Sequence, residues 1–229
     1  MTVARSRRGT LPAMTLTLDS YERQRDQWPR SGRHILAQFD ADSVVVYQAY
    51  PRSIGCAAAK AGKFGEGFRL NRMSWVKTSF LWMMYRSGWG TKPGQEVTLA
   101  IRVQRSAFDS ILEEAVPSVF DPRRYCTEEE WTSALAESSV RVQWDPDRDP
   151  LGARLDRRAI QLGLRGEALA LYASDWIEGI ADISEFVRRQ HECVSAGCLD
   201  RLVVPLHAEY QVPKPVSWNL GIASDPPGG

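Results

Sequence analysis

The sequence predicts an α+β fold built around antiparallel sheet. Strand-like segments, in which apolar and polar residues alternate, are interspersed with helical segments. Their spacing is too irregular for the repeated strand–helix–strand units that build parallel sheets. The 229 residues are 43% hydrophobic and 25% charged, as in ordinary globular proteins. We therefore expect one α+β domain over residues 35–213.

The two ends of the chain differ in composition from this central region. Residues 1–34 carry seven arginines against three acidic residues and have no sustained apolar period, which predicts a flexible basic arm. Residues 214–229 finish with Asp225-Pro-Pro-Gly-Gly and are expected to form a flexible tail.

The domain is predicted to begin with a strand and a helix. Val44–Tyr50 is rich in β-branched and aromatic residues, and Pro51 ends this strand. Ser53–Ala61 is alanine-rich, which predicts a helix that Gly62 stops. The glycine-rich loop at residues 63–67 lacks the Gly-Lys-Ser/Thr ending of a phosphate-binding P-loop.

A buried helix is predicted next. Arg72–Thr78 has strand character, and Ser79 is a suitable N-cap for a helix over Phe80–Ser87, which Gly88 closes. The residues from Phe80 to Tyr85 are apolar on all sides, as is typical of a helix that is buried on nearly every face.

The remaining elements follow from alternation, capping and composition. Strands are predicted at 97–103, 140–144 and 158–164, helices at 107–116, 128–137, 166–178 and 183–196, and a rigid acidic loop at 145–150. The helix at 128–137 has a capping-box start at Thr127-Glu-Glu-Glu130.

Charge and hydropathy exclude several classes of protein. With 29 basic and 28 acidic residues, the chain has no overall field to attract nucleic acid or membranes, although a local basic patch remains open. The longest apolar stretches are too short to span a bilayer, and no apolar segment follows the N-terminal arginines as in a secretory signal. The four scattered cysteines indicate free thiols. We expect a cytoplasmic protein with no membrane partner.

An unusual segment, residues 71–89, combines cations, hydroxyls and three tryptophans with hydrophobic residues of the kind that form protein cores. Its cations and Ser79 cannot enter a core unpaired, so they are expected at its rim. Cations beside aromatic rings at a strand end are typical of a site for an anionic, ring-bearing ligand, and a nucleotide is the first candidate.

The aspartates of the acidic loop resemble half of a calcium-binding loop. Pro150 stands where that loop needs glycine, and Asp156 where it needs glutamate, so we expect no metal there. The interpretation favoured instead is that Asp145, Asp147 and Asp149 pair with nearby arginines or orient a catalytic group.

Several motifs resemble a known family. They are Val46–Tyr50, Arg72–Trp89, Lys92–Glu96, Gln143–Asp149 and Arg158–Leu164. Together they resemble the bacterial and fungal family of domains of unknown function numbered 4291, over about residues 34–213. The tryptophan motif within Arg72–Trp89 is highly specific.

The layout of that family is similar to that of distant ADP-ribosyltransferases. The resemblance implies a split antiparallel β-sandwich flanked by helices, with NAD as substrate and no metal. It implies catalytic roles for Tyr47, Gln48 and Gln161, of which Gln161 stands where a glutamate is usual. The residues expected to contact NAD are Tyr50, Arg72, Trp75, Lys77, Ser79, Tyr85, Arg86 and Trp89.

The predicted function is therefore cleavage of the nicotinamide–ribose bond of NAD and transfer of ADP-ribose to a protein, nucleic acid or small molecule. A non-catalytic module that binds a nucleotide or RNA is the alternative, and the missing glutamate at position 161 favours it. A metal-dependent phosphodiesterase built on Asp145–Asp149 is the third hypothesis.

Overall fold

The structure is a computed structural model that describes residues 14–223. The first half of this range contains β1 (Leu18–Ser20), α1 (Tyr21–Gln27), β2 (Gly32–Arg33), β3 (Leu36–Ala37), β4 (Ser43–Tyr50), α2 (Arg52–Ala61), β5 (Ser74–Lys77), α3 (Phe80–Ser87), β6 (Val97–Gln104) and α4 (Arg105–Glu113). The second half contains β7 (Val116–Pro117), α5 (Glu128–Glu137), β8 (Val140–Arg148), β9 (Arg154–Leu164), α6 (Gly166–Ser174), β10 (Ile177–Asp182), α7 (Ser184–Ser195), a 3₁₀ turn (Leu199–Arg201), β11 (Val203–Pro205), β12 (Ala208–Glu209) and α8 (Lys214–Leu220). The predicted α+β class is confirmed.

Eight strands form one mixed sheet in the order β10-β6-β4-β5-β9-β8-β7, with β2 beside β9. The neighbours from β10 to β8 are antiparallel, and the parallel pairs are β7 with β8 and β2 with β9. Two small antiparallel sheets, β1 with β11 and β3 with β12, lie outside it. The antiparallel sheet that the sequence predicts is thus the centre of the fold.

The large sheet consists of two antiparallel halves that barely touch. In one half, β4 pairs with β6 at eight positions, from Ser43 opposite Gln104 to Tyr50 opposite Val97. In the other half, β5 pairs with β9 at four positions. Between the halves, β4 and β5 pair at one position, Tyr47 opposite Lys77. Beyond this pair, β4 and β5 therefore diverge from each other.

Strand β4 is buried on both faces, which explains its continuous apolar run. Val44 and Val46 enter one hydrophobic core, whereas Val45 and Tyr47 enter a second core on the opposite face. Alternating side chains of a strand point to opposite faces, so both cores need apolar residues from this strand.

The capping residues of α3 and α5 act as the sequence predicts. Ser79 Oγ accepts a hydrogen bond from the Trp82 amide, and Gly88 ends α3 in the left-handed conformation at φ 59°. Thr127 Oγ1 accepts from the Glu130 amide at the start of α5. The predicted bounds of both helices, 80–87 and 128–137, are confirmed.

The predicted flexible arm is wrong for the part of it that the structure describes, residues 14–34. β1 pairs with β11, and α1 buries Tyr21 and Gln24. Trp28 is 8% exposed, and its Nε1 donates to the His207 carbonyl at 3.1 Å. A few apolar residues suffice to pack this segment against the domain, because two of them have large aromatic side chains. Residues 1–13 lie outside the described range.

The predicted tail is also wrong where the structure describes it. Residues 214–220 form α8, which places Val216 and Leu220 in the first core. Trp144 Nε1 donates to the Leu220 carbonyl at 2.8 Å, which ties this helix to β8. Residues 224–229 lie outside the described range.

Several internal boundaries differ from the prediction, and two of the differences are larger than the rest. The acidic segment is not a loop, because residues 145–148 continue β8 opposite β9. The helix expected to run to residue 178 ends at Ser174, and Ile177–Asp182 forms β10. In both places pairing with a neighbouring strand overrides weak local propensity. In residues 14–223, no helix combines the length and hydrophobicity that a membrane span requires.

Candidate functional site

A cleft of about 530 Å³ opens where β4 and β5 part. Its wall is formed by the end of β4, the loop before β5, β5 itself and the exposed side of α3. Of the side chains that line it in the described part of the chain, four are cationic and none is acidic. The polar and aromatic side chains among its lining residues are Gln48, Tyr50, Phe68, Arg69, Arg72, Ser74, Trp75, Lys77, Arg86 and Gln95.

Six residues predicted for the site line this cleft together. Five of them were expected to contact NAD and the sixth to act in catalysis. They are Tyr50, Arg72, Trp75, Lys77, Arg86 and Gln48.

Gln48 joins the two half-sheets below the cleft. Its Nε2 donates to Ser74 Oγ at 2.9 Å and to the Trp75 carbonyl at 3.1 Å, both on β5. Its Oε1 accepts from the Tyr172 hydroxyl at 2.8 Å. All of these bonds fix the amide, so Gln48 positions β5 and Ser74 rather than offering a free reactive group.

Two phenols complete this network. The Tyr50 hydroxyl lies 3.2 Å from Ser74 Oγ, and burial raises the pKa of Tyr50 to about 12. Burial also holds the pKa of Tyr172 well above its ordinary value. Both phenols therefore stay neutral at physiological pH. Ser74 Oγ, in contact with both Gln48 and Tyr50, is an oriented hydroxyl at the cleft wall.

Lys77 is the buried cation of the cleft. It is 8% exposed, and its Nζ donates to the Trp75 carbonyl at 3.1 Å and lies 5.5 Å from the centre of the Trp82 ring. Burial, with a smaller contribution from Arg86, lowers the pKa of Lys77 to about 7, against an opposing effect of Asp145. An anion in the cleft would favour the protonated ammonium group.

The arginines of the cleft carry uncompensated charge. Within residues 14–223, no carboxylate lies within ion-pair distance of Arg69, Arg72 or Arg86. Planar guanidinium groups match the oxygens of a phosphate in two-pronged geometry. The cleft is therefore suited to an anionic ligand.

Trp75 depends on a glycine of the neighbouring strand. A Cβ atom on Gly163 would lie 3.0 Å from the Trp75 ring and 2.6 Å from Met73 Sδ. Only glycine lets both side chains lie against β9, so Gly163 shapes this wall of the cleft.

The family model described as "Domain of unknown function (DUF4291)" matches residues 34–210. The chain belongs to this family. The match includes every residue that lines the cleft. No curated protein matches the sequence.

Two residues predicted for the site lie in the interior of this DUF4291 domain and do not line the cleft. Tyr47 is fully buried in the second core, where its hydroxyl lies 3.4 Å from His207 Nε2. Ser79 caps α3 and donates to Asp147 Oδ1 at 3.0 Å. Both were predicted from the resemblance to ADP-ribosyltransferases, but alternation along β4 sends Tyr47 to the face opposite Gln48.

Three more predicted residues of the DUF4291 domain lie apart from the cleft lining. The Arg148 guanidinium covers the Tyr85 ring at 3.8 Å. Trp89 stacks on His191, with ring centres 5.5 Å apart, and packs against the second core. Gln161 lies opposite Lys77 in the strand register, but its Nε2 donates to Asp145 Oδ2 at 2.5 Å.

The acidic segment has a structural role that the sequence indicates in part. Asp147 Oδ2 accepts from Arg157 Nε at 2.9 Å, and both residues are buried. The predicted pairing of Asp147 with an arginine is thus confirmed. Gln143 and Gln161 both donate to Asp145. In residues 14–223, no group of three or more potential metal ligands of the His, Cys, Asp and Glu types converges.

The sequence prediction missed Arg69, Ser74 and Tyr172. Ser74 stands inside the tryptophan motif, whose hydroxyl groups were an available signal. Arg69 follows the glycine-rich loop, and Tyr172 lies on α6, about a hundred residues downstream of the motif. Nothing local to Tyr172 indicates its contact with Gln48.

Proposed function

We propose that the cleft binds NAD and that the protein is an NAD-dependent ADP-ribosyltransferase. The observation that carries the proposal is the separation of two antiparallel half-sheets at the Tyr47–Lys77 pair, around a cleft with cationic and aromatic walls. A split antiparallel sheet around NAD is the layout that the resemblance to ADP-ribosyltransferases implies. The uncompensated cations supply a site for the two phosphates of NAD.

In this proposal, different residues of the cleft bind different parts of NAD. Arg69, Arg72 and Arg86 hold the pyrophosphate, Tyr50 or Trp75 stacks on the nicotinamide, and the Ser74 hydroxyl bonds the adjoining ribose. The bond from ribose C1′ to the nicotinamide nitrogen breaks, and its electron pair leaves with nicotinamide. An acceptor oxygen or nitrogen attacks C1′ of the oxocarbenium-like ribose and loses its proton to water.

Release of nicotinamide tests this function most directly. We expect purified protein to bind NAD in isothermal titration and to release nicotinamide from it, detected by chromatography, when an acceptor is present. Absence of nicotinamide release would refute the transferase, and absence of NAD binding at millimolar concentration as well would refute the assigned site.

Loss of one phosphate-binding charge is expected to weaken NAD binding. Arg72 is exposed, so Arg72→Gln should leave the fold intact while removing a charge-assisted hydrogen bond. We expect about tenfold weaker NAD binding by titration, equivalent to roughly 1.4 kcal/mol. The matched control is Arg154→Gln, an exposed arginine that does not line the cleft. Equal affinities for the two variants would contradict the assigned site.

NAD binding is expected to weaken as pH rises above about 7. The pKa of Lys77 in the free protein is about 7, and the phosphates of NAD would raise it, so binding takes up a proton above that pH. One proton limits the change to about tenfold per pH unit. Titrations between pH 6 and 9, in buffers of different ionisation enthalpy, measure it. Lys77→Met should bind more weakly and without this dependence, whereas a wild-type affinity that is constant with pH would contradict the role of Lys77.

A second candidate function is a module that binds a nucleotide without chemistry. The observation that favours it is that, among residues 14–223, no aspartate or glutamate lines the cleft, while the glutamine at position 161 is held by Asp145. Such a module would bind NAD or another nucleotide and release no nicotinamide. The nicotinamide assay therefore separates the two functions.

A further inference from the structure

A second groove adjoins the cleft and is lined by arginines. It has a volume of about 490 Å³ and shares Arg72 and Met73 with the cleft. Its other wall is formed by Arg141 on β8 and by Arg165 and Gly166 at the start of α6. The two cavities therefore adjoin at Arg72 and Met73.

The positive charge of this groove is held in place but not neutralised. Arg165 donates to the Ser138 carbonyl at 2.8 Å and to the Ala136 carbonyl, and Arg141 donates to the Leu135 carbonyl at 3.4 Å. These acceptors are carbonyls at the C-terminal end of α5, which orient the guanidinium groups and offset part of their charge without a carboxylate. Within residues 14–223, neither arginine forms an ion pair. Among the described residues, Arg141 Nε is buried without a hydrogen-bond partner.

The start of α6 adds to the attraction for anions. Gly166 is the first residue of this nine-residue helix and lines the groove. The positive end of the helix dipole favours a phosphate near such a position. The whole chain has a formal net charge of only +1, so this local concentration of cations is not a consequence of overall charge.

We propose that this groove binds the phosphodiester backbone of a single-stranded nucleic acid, which makes a nucleic acid the acceptor of ADP-ribose; the transfer itself rests on the proposed function. A strand presents a phosphate at every nucleotide, which matches a series of arginines that continues from the groove into the cleft. Leu70, which is 50% exposed, and Met73 offer apolar contacts for sugar or base beside these charges. A peptide made only of acidic residues satisfies the charges but supplies no ring for this apolar surface.

Fluorescence anisotropy with labelled 12-nucleotide single strands of RNA and DNA tests this proposal in the absence of NAD. We expect binding that weakens steeply with salt, because phosphate contacts release counterions. Arg141→Gln should weaken strand binding about fivefold to tenfold, and the control Arg154→Gln should change it less than about twofold. Unchanged binding in Arg141→Gln would overturn the proposal, as would binding of a glutamate decapeptide but of neither strand.

A second variant covers the case in which Arg141→Gln fails to fold. Asn71 is exposed and lines the groove but not the cleft, so Asn71→Glu adds a negative charge where a phosphate is expected. It should weaken strand binding at least as much as Arg141→Gln and weaken NAD binding by a smaller factor, because it lies beside Arg72 but outside the cleft. Strand binding that is unaffected by Asn71→Glu would overturn the proposal. Strand binding without nicotinamide release would refute the transferase and leave the groove assignment standing.

Discussion

Replacing Asp147 with alanine is expected to destabilise the protein by about 3–5 kcal/mol, because it leaves a buried guanidinium group without its counter-charge. Arg157 is 5% exposed, and its Nε and Nη2 atoms lie 2.9 and 2.8 Å from Asp147 Oδ2. The other oxygen, Oδ1, accepts from Ser79 Oγ at 3.0 Å and from the Arg148 amide at 2.9 Å. One carboxylate thus joins β8, β9 and the N-terminus of α3.

Urea unfolding followed by circular dichroism measures this loss. The matched control is Asp156→Ala, which removes an exposed carboxylate from β9 and should change the free energy of unfolding by less than about 0.5 kcal/mol. Asp147→Asn keeps an acceptor for Ser79 but not the charge, so it should fall between the two. A loss below about 1 kcal/mol for Asp147→Ala would show that the pair is not a main support of the fold.

Local signals in the sequence predicted the elements whose ends are fixed by local chemistry. The bounds of α3 follow from the Ser79 cap and from Gly88, and those of α5 from Thr127. β10 was missed because its stability comes from pairing with β6, which lies more than seventy residues earlier in the chain. Residues 145–148 were placed in a loop because acidic residues and proline are poor strand formers, yet β9 provides their partner strand.

The type of ligand was predictable from the sequence, but the set of residues that line the site was predictable only in part. Cations within an apolar segment indicated a binding site for an anionic ligand at the edge of the core. Arg72, Lys77 and Arg86 do line one cleft. The prediction of lining residues was wrong where side chains that are adjacent in sequence point in different directions. Tyr47 and Gln48 are adjacent, yet the former enters the second core and the latter bonds β5. Which face borders the cleft depends on the separation of β4 from β5, which no local pattern encodes.

The N-terminal segment shows how a low apolar content misleads. Residues 14–30 were expected to be flexible, but the few large side chains they contain are used efficiently. Tyr21 and Trp28 pack edge to face with ring centres 6.3 Å apart. The Trp28 ring also lies 5.3 Å from the Arg157 guanidinium, which covers it. A periodicity count gives no weight to such contacts, because they are made with residues far away in the chain.

Removal of residues 1–30 is therefore expected to cost more than about 5 kcal/mol and to leave the remaining chain largely unfolded. Loss of a buried tryptophan alone costs about 3–5 kcal/mol. The truncation also removes the Tyr21 amide bond to the Leu202 carbonyl at 2.9 Å and the Gln24 Oε1 acceptor of the His207 amide at 2.8 Å. Finally, it removes the Pro29 carbonyl that accepts from Arg157 Nη1 at 2.7 Å. The buried Asp147–Arg157 pair would then lose part of its hydrogen bonding and be opened to water.

The matched comparison is a chain that starts at Met14, which retains β1, α1 and Trp28. Urea unfolding of this chain, of the chain that starts at Ser31 and of Trp28→Ala in the full chain separates the contributions. We expect the Ser31 chain to be the least stable of the three, with Trp28→Ala intermediate, because the point variant keeps the β1–β11 pairing and the Pro29 carbonyl. Similar unfolding midpoints for the Met14 and Ser31 chains would mean that residues 14–30 contribute nothing to the folded core, against their buried contacts.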